Sequence, residues 1–155
     1  METTIAPPVP KLKHKSFSYK TELTWEDKKR GVLTSHDKPI VVVSSPPEFK
    51  GEPGMWTPED LLVAAVESCT MTTFMAFAQR LQLGIFSYDS HAEGILEFAD
   101  GGYRFTKIIL RPTVRVESAD VVEQVRQTLR DAHKNCLISN SIRAEVILEP
   151  SIEVV

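Results

Sequence analysis

Cys69 and Cys136 are the only thiols in this 155-residue chain, and they are the residues most able to do chemistry. A thiol can attack as a thiolate, ligate a metal, form a bridge, or pack as a small apolar side chain. Metal ligation lacks partners: neither cysteine has a CxxC neighbour, and His14, His36, His91 and His133 are scattered without ligand spacing. Cys69 lies in Glu67-Ser68-Cys69-Thr70, and Cys136 in His133-Lys134-Asn135-Cys136-Leu137-Ile138-Ser139-Asn140-Ser141. Spacing alone leaves thiol chemistry and core packing both open. No phosphate-binding loop, Gly-x-Ser-x-Gly elbow or dinucleotide fingerprint competes with them. Read without further context, Lys28-Lys29-Arg30 is a solvated turn, and His133 caps the end of its helix. Phe74, Met75, Phe77 and Phe86 fit either an apolar ligand pocket or the core.

The elements that must position the thiols follow from local signals. Phe17, Tyr19, Thr21, Leu23 and Trp25 alternate with a period of two, predicting a half-buried strand before a turn over Glu26–Arg30. Strands at Val32–Ser35 and Ile40–Val43, with a turn at His36–Pro39, complete an antiparallel meander. Ser44 to Met55 holds Pro46, Pro47, Gly51, Pro53 and Gly54 and reads as a loop. Thr57-Pro58-Glu59-Asp60 is a helix start, with Thr57 as N-cap, proline in the first turn and acids facing the positive end of the dipole. That helix is expected to run to about Leu83, with Gly84 as its stop, and its first half is apolar nearly all round. Glu67, Thr70, Thr72, Thr73, Gln79 and Arg80 interrupt it too often for a lipid span. Tyr88 to Phe98 and Tyr103 to Val116, joined at Asp100-Gly101-Gly102, predict a long hairpin. Ser118 caps a second helix carrying Val121, Val125, Leu129 and Ala132 and ending near Asn135. Ala144–Leu148 and Ser151–Val155 are closing strands separated by Pro150. The order β-β-β-α-β-β-α-β, without repeated βαβ units, predicts an α+β fold with antiparallel pairing.

Composition bounds the rest. The length fits one domain at 13–155, preceded by a proline-bearing mobile arm at 1–12. Hydrophobic content of 42% and charged content of 25% belong to a soluble globular chain rather than to a disordered or membrane protein. With 18 basic and 21 acidic residues the net charge is -3, which offers no footprint for nucleic acid or an anionic membrane. Few cysteines and no leader-like opening predict a cytoplasmic address, where thiols stay reduced.

The segment Trp56-Thr57-Pro58-Glu59-Asp60-Leu61-Leu62-Val63-Ala64-Ala65-Val66-Glu67-Ser68-Cys69 resembles the central-helix signature of the OsmC/Ohr family. Ala132 to Ser141 is similar to that family's second-cysteine motif, and the order of elements agrees from about Phe17 to Val155. The resemblance implies antiparallel sheets wrapped around a long central helix in an intertwined homodimer. It also implies a thiol-dependent peroxidase that reduces organic hydroperoxides without a prosthetic group, reset by an external dithiol, lipoylated or otherwise small. On this alignment Cys69 is the peroxide-attacking cysteine and Cys136 the resolving one. Glu59 is the carboxylate that orients a catalytic arginine, and Arg30 is that arginine. Leu137 stands where many members carry proline, which implies slower resolution, and the loop before Met55 points to the less characterised OsmC-like branch. A non-catalytic ligand-binding member and a redox sensor are the rival readings.

Helix geometry adds a constraint. Ten residues rise about 15 Å and turn about 280° net, so Glu59 and Cys69 of one chain do not meet. A shared site then needs two chains with antiparallel central helices, which also accounts for the apolar circumference of the helix.

Overall fold

The computed structural model describes residues 14–155, so the arm expected at 1–12 lies outside the described residues. The central helix α1 spans Pro58–Arg80 and opens with a reciprocal cap. The Thr57 hydroxyl accepts the Asp60 N–H at 3.0 Å, while the Asp60 carboxylate accepts the Thr57 N–H at 3.0 Å. At the other end the stop is Gln82, in the left-handed region at φ 54, rather than Gly84. The Leu83 N–H reaches Ala78 O at 2.9 Å and the Gln82 N–H reaches Gln79 O at 3.1 Å, a Schellman closure. Leu83 packs on the core, and that contact places the turn two residues ahead of the glycine.

Only Val66, Thr70, Phe74 and Ala78 of α1 are buried, a stripe at i, i+4 that faces the rest of the chain. By length and composition α1 would pass as a membrane-crossing helix, yet it packs against α2 (Val122–Asn135) and β4 (Ile85–Ala99). The remaining apolar residues of α1 are covered only in part by the described residues.

Three strands, β1 (Glu22–Asp27), β2 (Arg30–Thr34) and β3 (Val41–Val43), form an antiparallel sheet in that order. The half-buried strand expected from Phe17 is shorter, and all six of its residues are exposed, Leu23 and Trp25 included. As the edge strand of a small sheet, β1 has its apolar side chains left exposed by the described residues.

The second sheet is built on β4 and β5 (Gly102–Val116), a hairpin closed by Asp100-Gly101. Both turn residues have positive φ, at 55 and 86, the type I′ geometry that Asp-Gly favours and that suits strand twist. Along β5, Ile108, Leu110, Val114 and Val116 are buried on one face. The closing strands β6 (Glu145–Leu148) and β7 (Ser151–Val154) correct the expectation of antiparallel pairing throughout, because both lie parallel to β5. Parallel neighbours need a crossover, and α2 supplies it. Exposed ion pairs repeat along this edge: Arg111 joins Glu93 to Glu149, and Arg115 joins Asp89 to Glu153.

Phe74 and Ala78 of α1, Val114 and Val116 of β5, and Val125, Leu129 and Ala132 of α2 form one buried cluster. Val66 with Ile108 and Leu110 forms another, against which Ile138 and Val146 pack. Tyr88 stacks on Phe74 with ring centroids 5.6 Å apart. Burial first, and the Glu67 carboxylate second, push the Tyr88 phenol up to about 12. The folded state therefore holds this proton more tightly than the unfolded chain, so its contribution to stability is complete below about pH 10 and is lost as pH rises toward 12. Tyr88→Phe is expected to flatten the alkaline limb of urea-unfolding stability between those values by about 1–2 kcal/mol, measured against wild type. An unchanged slope in the variant would overturn that assignment.

Candidate active site

The two thiols are delivered by different elements to one place. Cys69 sits midway along α1, partly exposed, and Cys136 is the wholly buried residue that ends α2. The segment after α2 is built to stop the helix and hold the sulfur. Cys136 turns to extended backbone, φ -66 and ψ 113, and a single 3-10 turn follows at Ser139–Ser141. The Ser139 N–H reaches Cys136 Sγ at 3.4 Å, and the Asn140 N–H reaches Cys136 O at 3.1 Å. Asn135 and Asn140 bind back to the carbonyls of Asp131 and Lys134 at 2.8 and 3.0 Å. The Asn-Cys-x-x-Ser-Asn-Ser run is thus a folded unit, with the side chains of Asn135, Asn140 and Ser141 bound to backbone carbonyls.

Burial pushes the Cys136 thiol up, but the Ser139 N–H and the neighbouring polar side chains of Ser139, Cys69 and Thr70 pull it the other way. The net direction is down, toward thiolate. Cys69 and Cys136 are both free, and the Cys69 side chain is near enough to help pull the Cys136 thiol down. Sequence reasoning named both cysteines and the structure brings them together across 67 residues of chain. Ser139 and Thr70, which adjoin the Cys136 thiol, were not singled out by any spacing signal.

His133 is one turn before Cys136, and it supports the helix end through its carbonyl, which accepts the Cys136 N–H at 3.4 Å. Its ring does not cap: Nδ1 is buried without a hydrogen-bond partner among the described residues, and burial holds the imidazole below its ordinary value. The side-chain cap expected from sequence is therefore replaced by a neutral ring tucked against the fold.

Arg30 and Glu59 are not brought together within the chain. Arg30 opens β2, with Nε 3.1 Å from Glu26 and Nη1 3.7 Å from Glu52. Glu59 lies in the first turn of α1 and makes no ion pair among the described residues, and its Oε2 is buried without a partner. Glu52 was missed in the sequence because nothing in a breaker-rich loop marks one carboxylate over another. The structure explains its position: the Glu52 N–H donates to the buried Ser44 hydroxyl at 3.2 Å, and the Gly51 N–H reaches Pro46 O at 3.0 Å. A Cβ on Gly51 would stand 1.5 Å from the Ser45 carbonyl oxygen, a backbone atom that cannot swing away. Gly51→Ala is therefore expected to open this loop and free Arg30 from Glu52. Faster limited proteolysis between residues 44 and 55, with the rest of the chain protected, would register it, and unchanged protection would count against it.

Glu59 also borders a cleft of about 670 Å³ between the Pro46–Phe49 loop, the start of α1 and the distal half of the β4–β5 hairpin. Phe49, Met55, Leu96, Tyr103 and Phe105 supply its apolar walls. Gly94 lets α1 and β5 close on the sheet here, since a Cβ would come within 2.6 Å of both Val63 and Phe105. The aromatics weighed as pocket residues are elsewhere. Phe74 is wholly buried, Met75 and Phe77 pack against the same core, and Phe86 is 64% exposed.

Comparison with known proteins agrees with this arrangement. The family model described as OsmC-like protein matches residues 51–151, which include both cysteines and Glu59. YmaD of Bacillus subtilis (strain 168) is 32% identical over 114 residues, covering 71% of this chain and 75% of YmaD. Peroxiredoxin OsmC of Escherichia coli (strain K12) is 29% identical over 135 residues, covering 84% of this chain and 93% of that protein. Among solved structures, an OsmC-like protein of unknown function from Vibrio cholerae superposes with a TM-score of 0.80 at 26% identity, covering 87% of this chain and 99% of that one. An organic hydroperoxide resistance protein from Elizabethkingia anophelis gives 0.71 at 15% identity, over 91% of this chain and 99% of that one, a likeness of fold. A helix-borne cysteine met by a second cysteine at the end of α2, within an α+β fold shared over nearly the whole chain, places this protein in the OsmC/Ohr family of OsmC-like proteins.

Proposed function

We propose that this chain is a cysteine-based peroxidase that reduces organic hydroperoxides as a cytoplasmic homodimer. The observation that carries the reading is the pair of free, neighbouring thiols, one partly exposed and one buried. In the reaction the Cys69 thiolate attacks the terminal peroxide oxygen, the O–O bond breaks, and the alkoxide takes a proton and leaves as alcohol. Cys69 is then a sulfenic acid. The Cys136 thiolate attacks its sulfur, the S–O bond breaks, and hydroxide takes a proton to become water as the disulfide forms. An external dithiol, small or lipoylated, reduces that disulfide by exchange and is itself oxidised.

Arg30 and Glu59 are the groups proposed to assist. A guanidinium beside the sulfur favours thiolate and stabilises charge on the departing oxygen, and a carboxylate fixes its plane. Their separation within one chain supports a site shared between subunits, with Glu59 approaching the partner's Cys69 across antiparallel α1 helices. The exposed apolar face of β1 and the partly covered circumference of α1 favour the same assembly. Nothing in this scheme calls for a metal or prosthetic group.

The test is consumption of cumene hydroperoxide by purified protein with excess dithiothreitol, run beside sedimentation. Many turnovers from a species of twice the chain mass are expected. A monomer that turned over would overturn the shared site, and a folded dimer that did not turn over would overturn the peroxidase. Pairing of Arg30 with Glu26 and Glu52 favours a second reading, a redox sensor whose thiols oxidise once without turnover.

A further inference from the structure

Among the polar side chains of the turn that ends α2, Ser139 is the exception. Asn135, Asn140 and Ser141 give theirs to the main-chain carbonyls of Asp131, Lys134 and Leu137. The Ser139 hydroxyl is buried with no hydrogen-bond partner among the described residues. It nevertheless adjoins the Cys136 sulfur, which the N–H of the same residue reaches at 3.4 Å. A buried hydroxyl left without a partner is costly, and an anion on the adjacent sulfur would accept its proton.

The sulfur needs such donors. Cys136 is wholly buried and ends α2, where low dielectric and the negative end of the helix dipole both disfavour a thiolate. The groups that pull it toward thiolate are Ser139, Cys69 and Thr70, all uncharged. The Thr70 hydroxyl already donates to Val66 O at 3.0 Å, and Cys69 carries the sulfur to be attacked. Ser139 is therefore the neighbour with two donors to give. Of the titratable groups around the turn, Cys69 comes from α1 and His133 stands one turn earlier on α2, its imidazole held below the ordinary value by burial. The charged residues that flank the turn, Lys134, Arg143 and Glu145, are exposed, and Glu67 of α1 acts on the Tyr88 phenol.

Resting on the peroxidase reading above, we propose that Ser139 is a positioning residue of the resolving step, its N–H and hydroxyl holding the buried Cys136 sulfur as an anion beside Cys69. The Cys136 proton has then gone to solvent before the step begins. As the sulfur–sulfur bond forms and the S–O bond of the Cys69 sulfenic acid breaks, the negative charge leaves Cys136 with the hydroxide, which takes a proton to become water.

In protein carrying Cys69→Ser, Cys136 is the only thiol, and its ionisation can be followed by ultraviolet thiolate absorbance across pH. Adding Ser139→Ala should raise the midpoint by about one pH unit, and Ser139→Thr, which keeps the hydroxyl, should return it. In the chain with both cysteines, an equivalent of cumene hydroperoxide is added without reductant, and the reaction is quenched with acid, alkylated and analysed by intact mass. Formation of the Cys69 sulfenic acid should be unchanged by Ser139→Ala. Disulfide closure should be about threefold slower below both midpoints, where less thiolate is present, and about threefold faster above them, where the freed thiolate is the better nucleophile. An unmoved midpoint would overturn the role of Ser139, as would closure slowed equally at every pH, the result of a merely loosened turn. Wild-type protein inert to the hydroperoxide, with the midpoint still moved by Ser139→Ala, would overturn the peroxidase reading and leave the hold of Ser139 on the sulfur standing.

Discussion

Cys69→Ser should remove hydroperoxide turnover by about 10³-fold or more while leaving the far-UV circular dichroism and the sedimentation of the protein unchanged. A serine hydroxyl is scarcely ionised at neutral pH, so the attacking anion is lost although the shape of α1 is kept. Cys136→Ser should differ in kind. It can still complete the first attack, but the sulfenic acid then has no buried partner, and repeated peroxide should carry Cys69 to sulfinic acid. Intact-protein mass spectrometry after stepwise addition of cumene hydroperoxide separates the cases: a disulfide in wild type, two added oxygens in Cys136→Ser, and neither in Cys69→Ser. Retained turnover in Cys69→Ser would remove that residue from the chemistry.

The second large effect concerns Phe74, the largest fully buried side chain among the described residues. It stands where α1, β5 and α2 meet, and it stacks on Tyr88. Phe74→Ala deletes a ring from a site that cannot collapse, because the surrounding backbone belongs to three separate elements. The expected loss is about 3–5 kcal/mol in urea unfolding, a large part of the roughly 5–15 kcal/mol typical of a domain. The same contact seats α2, so the variant should also let Cys136 react with a thiol reagent under native conditions. Wild-type stability in Phe74→Ala would mean that this junction is not the centre of the core.

What could be read from the sequence is what short-range chemistry determines. Thr57 and Asp60 cap α1 because their side chains reach the adjacent amides whatever else the chain does. Asp100-Gly101 closes the long hairpin because few dipeptides tolerate two positive φ values in succession. The alternation in β5 marked its buried face correctly, since one face of that strand carries the core. Both thiol segments were legible as motifs, and their meeting agrees with that reading.

The misses share a cause of the opposite kind. The pairing of β6 and β7 is decided by where α2 delivers the chain, so four-residue strands carry no local record of being parallel. Gln82 takes the left-handed position ahead of Gly84 because Leu83 gains core contact by doing so. The alternation of Phe17 to Trp25 was real, but the described residues offer no surface for it to pack on. Arg30 chose Glu26 and Glu52 because the loop around Gly51 brings Glu52 back to β2, a long-range event invisible to spacing.

The arrangement of the thiol pair also has a consequence in time. Cys69 is borne by α1, whereas Cys136 reaches it only after the β4–β5 hairpin and α2 have been made. At ordinary elongation rates of about 5–20 residues per second, the intervening chain takes roughly 3–13 s to synthesise. Throughout that interval the nascent protein carries a solitary thiol, able to be oxidised or capped by a small thiol with no internal partner to rescue it. On the peroxidase reading, the attacking thiol thus stands without its resolving partner until α2 is in place.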